Sequence, residues 1–138
     1  INNLLGRPQF FDADLDTACA LFCAENNENP SMHARPGGWW SVEVLAKLFD
    51  LTIPPLGQLL LANARLADFD RVMASDKFYG FLVNQRNQHW VCMPVHGDCL
   101  WYVDSCYAPT IIDRKDFCNI IKKYPRCFVV ETHLEAAS

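Results

Sequence analysis

The residues best suited to chemistry lie in one segment, "QHWVCMPVHGDCLWYVDS", which spans residues 88–105. Within it, "HGD" predicts a tight turn between two antiparallel strands, with either "HG" or "GD" as the two central residues. The first turn places His89 directly opposite Asp104, and the second places the two residues on a diagonal. Because side chains alternate between the faces of a sheet, either turn puts this imidazole and this carboxylate on the same face.

An imidazole held by a carboxylate forms the base and the orienting acid of a nucleophilic triad. The acid fixes the tautomer of the ring and stabilises the imidazolium that forms when the base takes a proton. His89 and Asp104 are therefore the candidate catalytic pair. Structural pairs of His and an acid across neighbouring strands have the same spacing, so the spacing alone leaves both roles open.

The same segment contains four residues of the types that bind zinc, in the pattern H-x2-C-x3-H-x2-C: His89, Cys92, His96 and Cys99. On a regular strand, His89 and Cys92 point to opposite faces, because their positions differ by an odd number, and they cannot share one ion. We therefore expect no metal site here, and we expect both cysteines to be small core residues. The sequence indicates no cofactor.

Short aromatic and β-branched segments have to position the pair. Four of them, "KFYGFLVN", "HWVCMPV", "CLWYVDS" and "CFVV", are separated by turn residues and predict strands of one sheet. Between the last two, "DRKDFCNIIKKYP" predicts a helix with Asp113 as its N-cap and Pro125 as its stop. The second part of the chain is therefore expected to be mainly an antiparallel sheet.

The first third of the chain is predicted to be helical. "DADLDTACALFCAE" has apolar residues at helical spacing and acidic residues near its N-terminus, where they favour the helix dipole. "VEVLAKLFD" predicts a second helix with Ser41 as N-cap. Between Leu51 and Asp76, the pair Pro54-Pro55 breaks the chain and one or two short helices are expected. Helices followed by an antiparallel sheet predict an α+β domain.

Length and composition fit a single domain over residues 1–138, with 51% hydrophobic and 20% charged residues. The net charge of −4 argues against a nucleic-acid partner, because phosphate binding needs clustered Lys and Arg. The basic pair Lys122-Lys123 lies at a predicted helix C-terminus, where cations complement the dipole. No apolar run reaches the roughly 18 residues of a membrane span. Seven cysteines without a CxxC pair favour a reducing, intracellular compartment, with the cytoplasm as the expected place.

The opening "INNLLGRP" predicts the C-terminal end of a helix. Gly6 has the position of a left-handed cap, and Pro8 follows where a helix cannot continue. Five residues are too few to nucleate a helix. We therefore expect the helix to begin upstream of Ile1.

Several segments together resemble the Josephin domain, the papain-like cysteine protease fold of the ataxin-3 and Josephin-domain-containing deubiquitinases. They are "INNLLG", "GGWWSVEVLAKLF", "HWVCMPVHGDCLWYVDSCYAP", a helix that follows them and "CFVVE", in that order. The block from His89 to Asp104 is the most specific, and it matches the family's catalytic histidine and its orienting Asn or Asp. The likeness is weakest between Leu51 and Lys77.

The resemblance implies a deubiquitinase in which His89 is the general base and acid, Asp104 orients it, and ubiquitin or ubiquitinated proteins are the partners. It also implies a nucleophilic cysteine about one helical turn upstream of Ile1, at the start of the first helix, preceded by an oxyanion-stabilising Gln. That place suits a thiol, because the dipole at a helix N-terminus lowers a cysteine pKa. The alternative is a non-catalytic Josephin-fold subunit or binding module of a larger assembly.

None of the seven cysteines in the chain is expected to replace that nucleophile. Six of them lie in the interior of predicted helices or in predicted strands. Cys106 follows Asp104 closely, but no helix N-terminus lies behind it to stabilise a thiolate.

Overall fold

The computed structural model describes residues 1–5, 10–35, 39–51, 57–104 and 106–132. The described helices are α1 (Asn2–Leu5), α2 (Asp12–Asn26), α3 (Val42–Asp50), α4 (Leu66–Met73), α5 (Arg114–Lys123) and a 3₁₀ turn at Pro30–Met32. The described strands are β1 (Ala34–Arg35), β2 (Trp39–Trp40), β3 (Gly57–Asn63), β4 (Phe78–Gln85), β5 (His89–His96), β6 (Cys99–Tyr102), β7 (Thr110–Ile112) and β8 (Cys127–Thr132). The helix end predicted at Gly6 and Pro8 and the break predicted at Pro54-Pro55 lie outside the described residues.

Six strands form one antiparallel sheet in the order β3-β8-β4-β5-β6-β7. The four segments predicted as strands lie in this sheet as β4, β5, β6 and β8. The short strands β1 and β2 form a separate two-stranded ribbon. With helices before and between the strands, the chain has the predicted α+β class.

The two faces of the sheet carry separate cores. One, the α5 face, is covered by α4 and α5, and its fully buried residues include Phe81, Met93 and Phe117. The other, the α3 face, is covered by α1 and α3, and its buried residues include Leu82 and Cys92. Successive side chains of a strand point to opposite faces, so neighbouring residues of one strand join different cores.

Two predicted helix starts are confirmed by their caps. The Ser41 hydroxyl accepts the Val44 N–H at 3.3 Å at the start of α3. The Asp113 carboxylate accepts the Asp116 N–H at 2.8 Å at the start of α5. The latter helix ends before Pro125, as predicted. Each cap satisfies a backbone donor that has no acceptor inside its own helix.

The segment before α4 is a strand where the sequence favours a helix. Gly57–Asn63 form β3, an edge strand that pairs with β8. Leu59 is buried and Gln58 is exposed, which is the alternation of a strand. Leu, Gln and Ala favour helices locally, but pairing with β8 overrides this propensity. The short strand β7 at the other edge also lies outside the predicted strands.

Among the described helices, none combines the length and the apolar character that a membrane crossing requires.

Candidate active site

The turn between β5 and β6 sets the geometry of the candidate site. Its central residues are Gly97 and Asp98, whose φ angles of 60° and 62° are both left-handed, as a type I′ turn requires. The register that follows places Asp104 on a diagonal from His89. This is the second of the two registers that the sequence allows.

His89 and Asp104 lie on the same side of the sheet and bond to each other. Nε2 of His89 is 3.0 Å from Oδ1 of Asp104. The Asp104 side chain is 8% exposed and the His89 side chain is 38% exposed, so the ring links a buried carboxylate to the surface. Because Nε2 donates its proton to the carboxylate, Nδ1 carries the free lone pair. The ring therefore has the tautomer of a general base that acts through Nδ1.

The Asp104 carboxylate is kept ionised by the groups that bond to it. The backbone N–H of Cys106 donates to Oδ1 at 3.1 Å. This bond is the main cause that lowers the pKa of Asp104, the bond from His89 adds to it, and burial acts in the opposite direction. At neutral pH the carboxylate is thus an acceptor that can orient the imidazole and stabilise its charged form.

A glutamine and a tyrosine flank the pair, and the sequence analysis missed both. Gln85 lies directly opposite His89 on β4, and its Nε2 donates to the Tyr102 hydroxyl at 2.6 Å. Burial raises the pKa of Tyr102, and the negative charge of Asp104 raises it further. Tyr102 therefore stays a neutral phenol beside the carboxylate. The same alternation of side chains predicts both positions. Gln85 faces His89 on the neighbouring strand, and Tyr102 lies two residues before Asp104, on the same face.

Cys106 is the cysteine beside the candidate pair, through its contact with Asp104. In the described ranges, no cysteine sulfur is hydrogen-bonded to His89. Cys92 packs on the α3 face, and burial raises its pKa to about 11. Cys106 is exposed; its backbone N–H donates to the Asp104 carboxylate, and its side chain also bonds that carboxylate and helps to lower its pKa. Buried thiols of raised pKa are poor nucleophiles, because the thiolate is the reactive form.

The first two residues of the H-x2-C-x3-H-x2-C pattern lie on opposite faces of the sheet. Cys92 belongs to the α3 face, whereas His89 bonds Asp104 on the α5 face, as their odd spacing predicts. Within the part of the chain that the structure describes, no three His, Cys, Asp or Glu side chains are grouped so as to hold a metal ion.

The helix that opens the chain lies against the strand of the candidate base. α1 contacts β4 and β5, and its Leu4 packs in the core of the α3 face with Cys92. His89 is the first residue of β5, so it lies at the end of that strand.

No family model matches this chain, and no curated protein matches it.

Proposed function

We propose that this chain is a Josephin-type cysteine deubiquitinase domain with a papain-like fold, in which His89 is the general base and Asp104 orients it. The observation that carries the proposal is the bond from Nε2 to a buried, ionised carboxylate, which leaves Nδ1 free for a thiol. The α+β architecture and the Josephin-like order of segments support it.

In the proposed reaction, Nδ1 of His89 takes the proton of a cysteine thiol, and the thiolate attacks the carbonyl carbon of an isopeptide bond at the ubiquitin C-terminus. The C–N bond breaks as the imidazolium gives its proton to the departing lysine amine, and a thioester remains. Water then attacks the thioester; His89 takes the water proton and returns it to the thiolate. Asp104 stays ionised throughout and stabilises the imidazolium.

The nucleophile in this proposal is the cysteine that the resemblance places one helical turn upstream of Ile1. One turn adds about 5 Å to a helix. Because α1 already lies against β5, an upstream turn of the same helix would keep that thiol close to the strand that carries His89. The positive end of the helix dipole would favour its thiolate.

The test uses the natural full-length protein and ubiquitin that carries a thiol-reactive group at its C-terminus. His89→Ala is expected to slow labelling by about 100-fold or more, because the base is lost. His96→Ala is the matched control, since His96 is an exposed histidine at the other end of the same strand. Peptide mapping should place the adduct on a cysteine upstream of Ile1.

Two results would contradict the proposal. Labelling that is indifferent to His89→Ala would remove the base from the reaction. An adduct on Cys106 would instead make this exposed thiol beside Asp104 the nucleophile, and the resemblance would have misplaced it.

The second candidate function is a non-catalytic Josephin-fold module that binds ubiquitin within a larger assembly. The observation in its favour is that, in the described segments, His89 is bonded to a carboxylate and to no sulfur. Calorimetry that detects ubiquitin binding by a full-length protein that neither reacts with the probe nor hydrolyses ubiquitin conjugates would select this alternative.

A further inference from the structure

A second histidine, His33, has a hydroxyl on one side and a carboxylate on the other. Its Nδ1 is 2.7 Å from Oγ of Ser41. Its Nε2 bonds the carboxylate of Glu28. The Phe22 ring packs edge-on against the imidazole, with 4.9 Å between the ring centroids. These contacts hold the ring between a potential nucleophile and a potential orienting acid.

The β1–β2 ribbon brings the hydroxyl and the imidazole together. Ala34 pairs with Trp40 in this ribbon. One step beyond this pair, the Ser41 N–H donates to the His33 carbonyl at 2.8 Å. The two side chains are therefore opposite each other at the end of the ribbon, and the Ser41 carbonyl opens α3.

In the trio of Ser41, His33 and Glu28, the carboxylate determines which ring nitrogen carries the proton. Because the Glu28 carboxylate accepts the Nε2 proton, Nδ1 is the acceptor, and the Ser41 hydroxyl donates to it. The cap bond from the Val44 N–H to the same oxygen is 3.3 Å, longer than the usual 2.9–3.0 Å. The stronger partner of the Ser41 hydroxyl is thus the imidazole, as in a serine nucleophile with its base.

A pocket of about 220 Å³ opens onto His33 and Ser41. It is lined by His33 and Ser41, by the first two residues of α3, and by Asn87 and Arg126 among others. The first N–H groups of a helix have no acceptor inside the helix and lie at the positive end of its dipole. Donors of this kind stabilise the oxyanion that forms when a hydroxyl attacks a carbonyl group.

We propose that Ser41, His33 and Glu28 form a second nucleophilic centre, which cleaves small esters. The Ser41 oxygen bonds to the ester carbonyl carbon while its proton moves to Nδ1 of His33. The ester C–O bond breaks, and the departing alkoxide takes this proton, leaving an acylated Ser41. Water attacks the acyl group in the same way and restores the hydroxyl, with a carboxylic acid as product.

The pocket also restricts the substrate. Its volume lies below the 300–1,000 Å³ that is usual for drug-sized ligands, so a short acyl chain fits and a long one does not. Arg126 and Asn87, a charged and a polar residue, belong to the pocket lining. Short-chain esters with a polar group are the expected class.

The test is labelling of the whole chain with a small fluorophosphonate, followed by intact mass and peptide mapping. Wild type should gain one phosphonyl group, on Ser41. Ser41→Asn should gain none, and it should stay folded because Asn also caps helices well. Ser31→Ala is the matched control, since Ser31 is an exposed serine on the preceding 3₁₀ turn, and it should label like wild type.

The orienting acid gives a second readout. Glu28→Gln should slow labelling of Ser41 by about 100-fold, and it should slow release of p-nitrophenol from p-nitrophenyl acetate by as much once the cysteine thiols have been blocked with iodoacetamide. His96→Ala, at an exposed histidine outside both sites, should leave both rates unchanged. Because the adduct is mapped to Ser41 itself, this proposal and the deubiquitinase proposal stand or fall separately. A folded wild-type protein with no adduct on Ser41, or equal rates for Glu28→Gln and wild type, would reduce the trio to a helix cap and overturn the proposal.

Discussion

Replacing Asp104 by Ala separates a catalytic role of the His89 pair from a structural one. The substitution removes two hydrogen bonds, from Nε2 of His89 and from the N–H of Cys106. A buried bond of this kind contributes about 1 kcal/mol net, and both donors are near enough to solvent for water to replace the carboxylate. We expect the free energy of unfolding to fall by about 2 kcal/mol or less.

Phe117→Ala provides the comparison, because it damages the same face of the sheet without touching the pair. Phe117 is fully buried in the core of the α5 face, and its ring lies 4.7 Å from Phe81 and 5.4 Å from Phe69 between centroids. Removing a buried Phe side chain costs about 4 kcal/mol through lost contacts and the cavity left behind. The loss of stability in the core variant should therefore be at least about twice the loss in Asp104→Ala.

Two assays on the same variants decide the matter. Urea unfolding followed by tryptophan fluorescence gives the stability order, and reaction with the ubiquitin probe gives the rate for each folded, full-length protein. Asp104→Ala should be folded and slow, whereas the folded fraction of Phe117→Ala should react at the wild-type rate. If Asp104→Ala is instead the less stable variant, the pair holds the fold together, and its interpretation as a catalytic pair is wrong.

Three further predictions follow from the described contacts. Because folding lowers the pKa of Asp104, its carboxylate stabilises the fold at pH values above the unfolded pKa of about 3.9, and this stability is lost as pH falls through the folded pKa. Urea unfolding at about pH 7 and about pH 3 should therefore show a larger fall in the free energy of unfolding for wild type than for Asp104→Asn. Gly80→Ala should lower the free energy of unfolding by at least about 3 kcal/mol, since the new Cβ would lie 2.0 Å from the Met93 carbonyl oxygen. Gly97→Ala should lower it by about 1 kcal/mol, because Gly97 has a φ of 60° but open space around it. Equal melting temperatures for the two variants would contradict this prediction. Ser41→Ala should lower the free energy of unfolding, measured with urea, by about 1 kcal/mol, and Ser41→Asn should lower it by less than half of that, because Asn also caps helices. Equal losses for the two variants would show that the cap does not stabilise α3.

The site pair could be predicted because it depends on short-range rules. A tight turn at "HGD" and the alternation of side chains are enough to place His89 and Asp104 on one side of the sheet, whichever two residues form the turn. The caps at Ser41 and Asp113 were equally accessible, because each acts within its own first helical turn.

The parts that could not be predicted depend on partners distant in sequence. β3 becomes a strand because β8 pairs with it, and a local reading of its Leu, Gln and Ala residues favours a helix. The contact between His33 and Ser41 requires the β1–β2 ribbon, which consists of two strands of two residues and has too little periodicity to be read from the sequence.

The order of the strands in the sheet also bears on how the protein is made. β8 lies between β3 and β4, although it comes last among the strands that the structure describes. Residue 132 therefore has to emerge from the ribosome before β4 can pair fully with β8. The β4–β5–β6 meander, which carries His89 and leads to Asp104, forms from contacts that are local in sequence. During translation the free edge of β4 is a target for wrong pairing, and a chaperone that covers it would protect the nascent chain until β8 arrives.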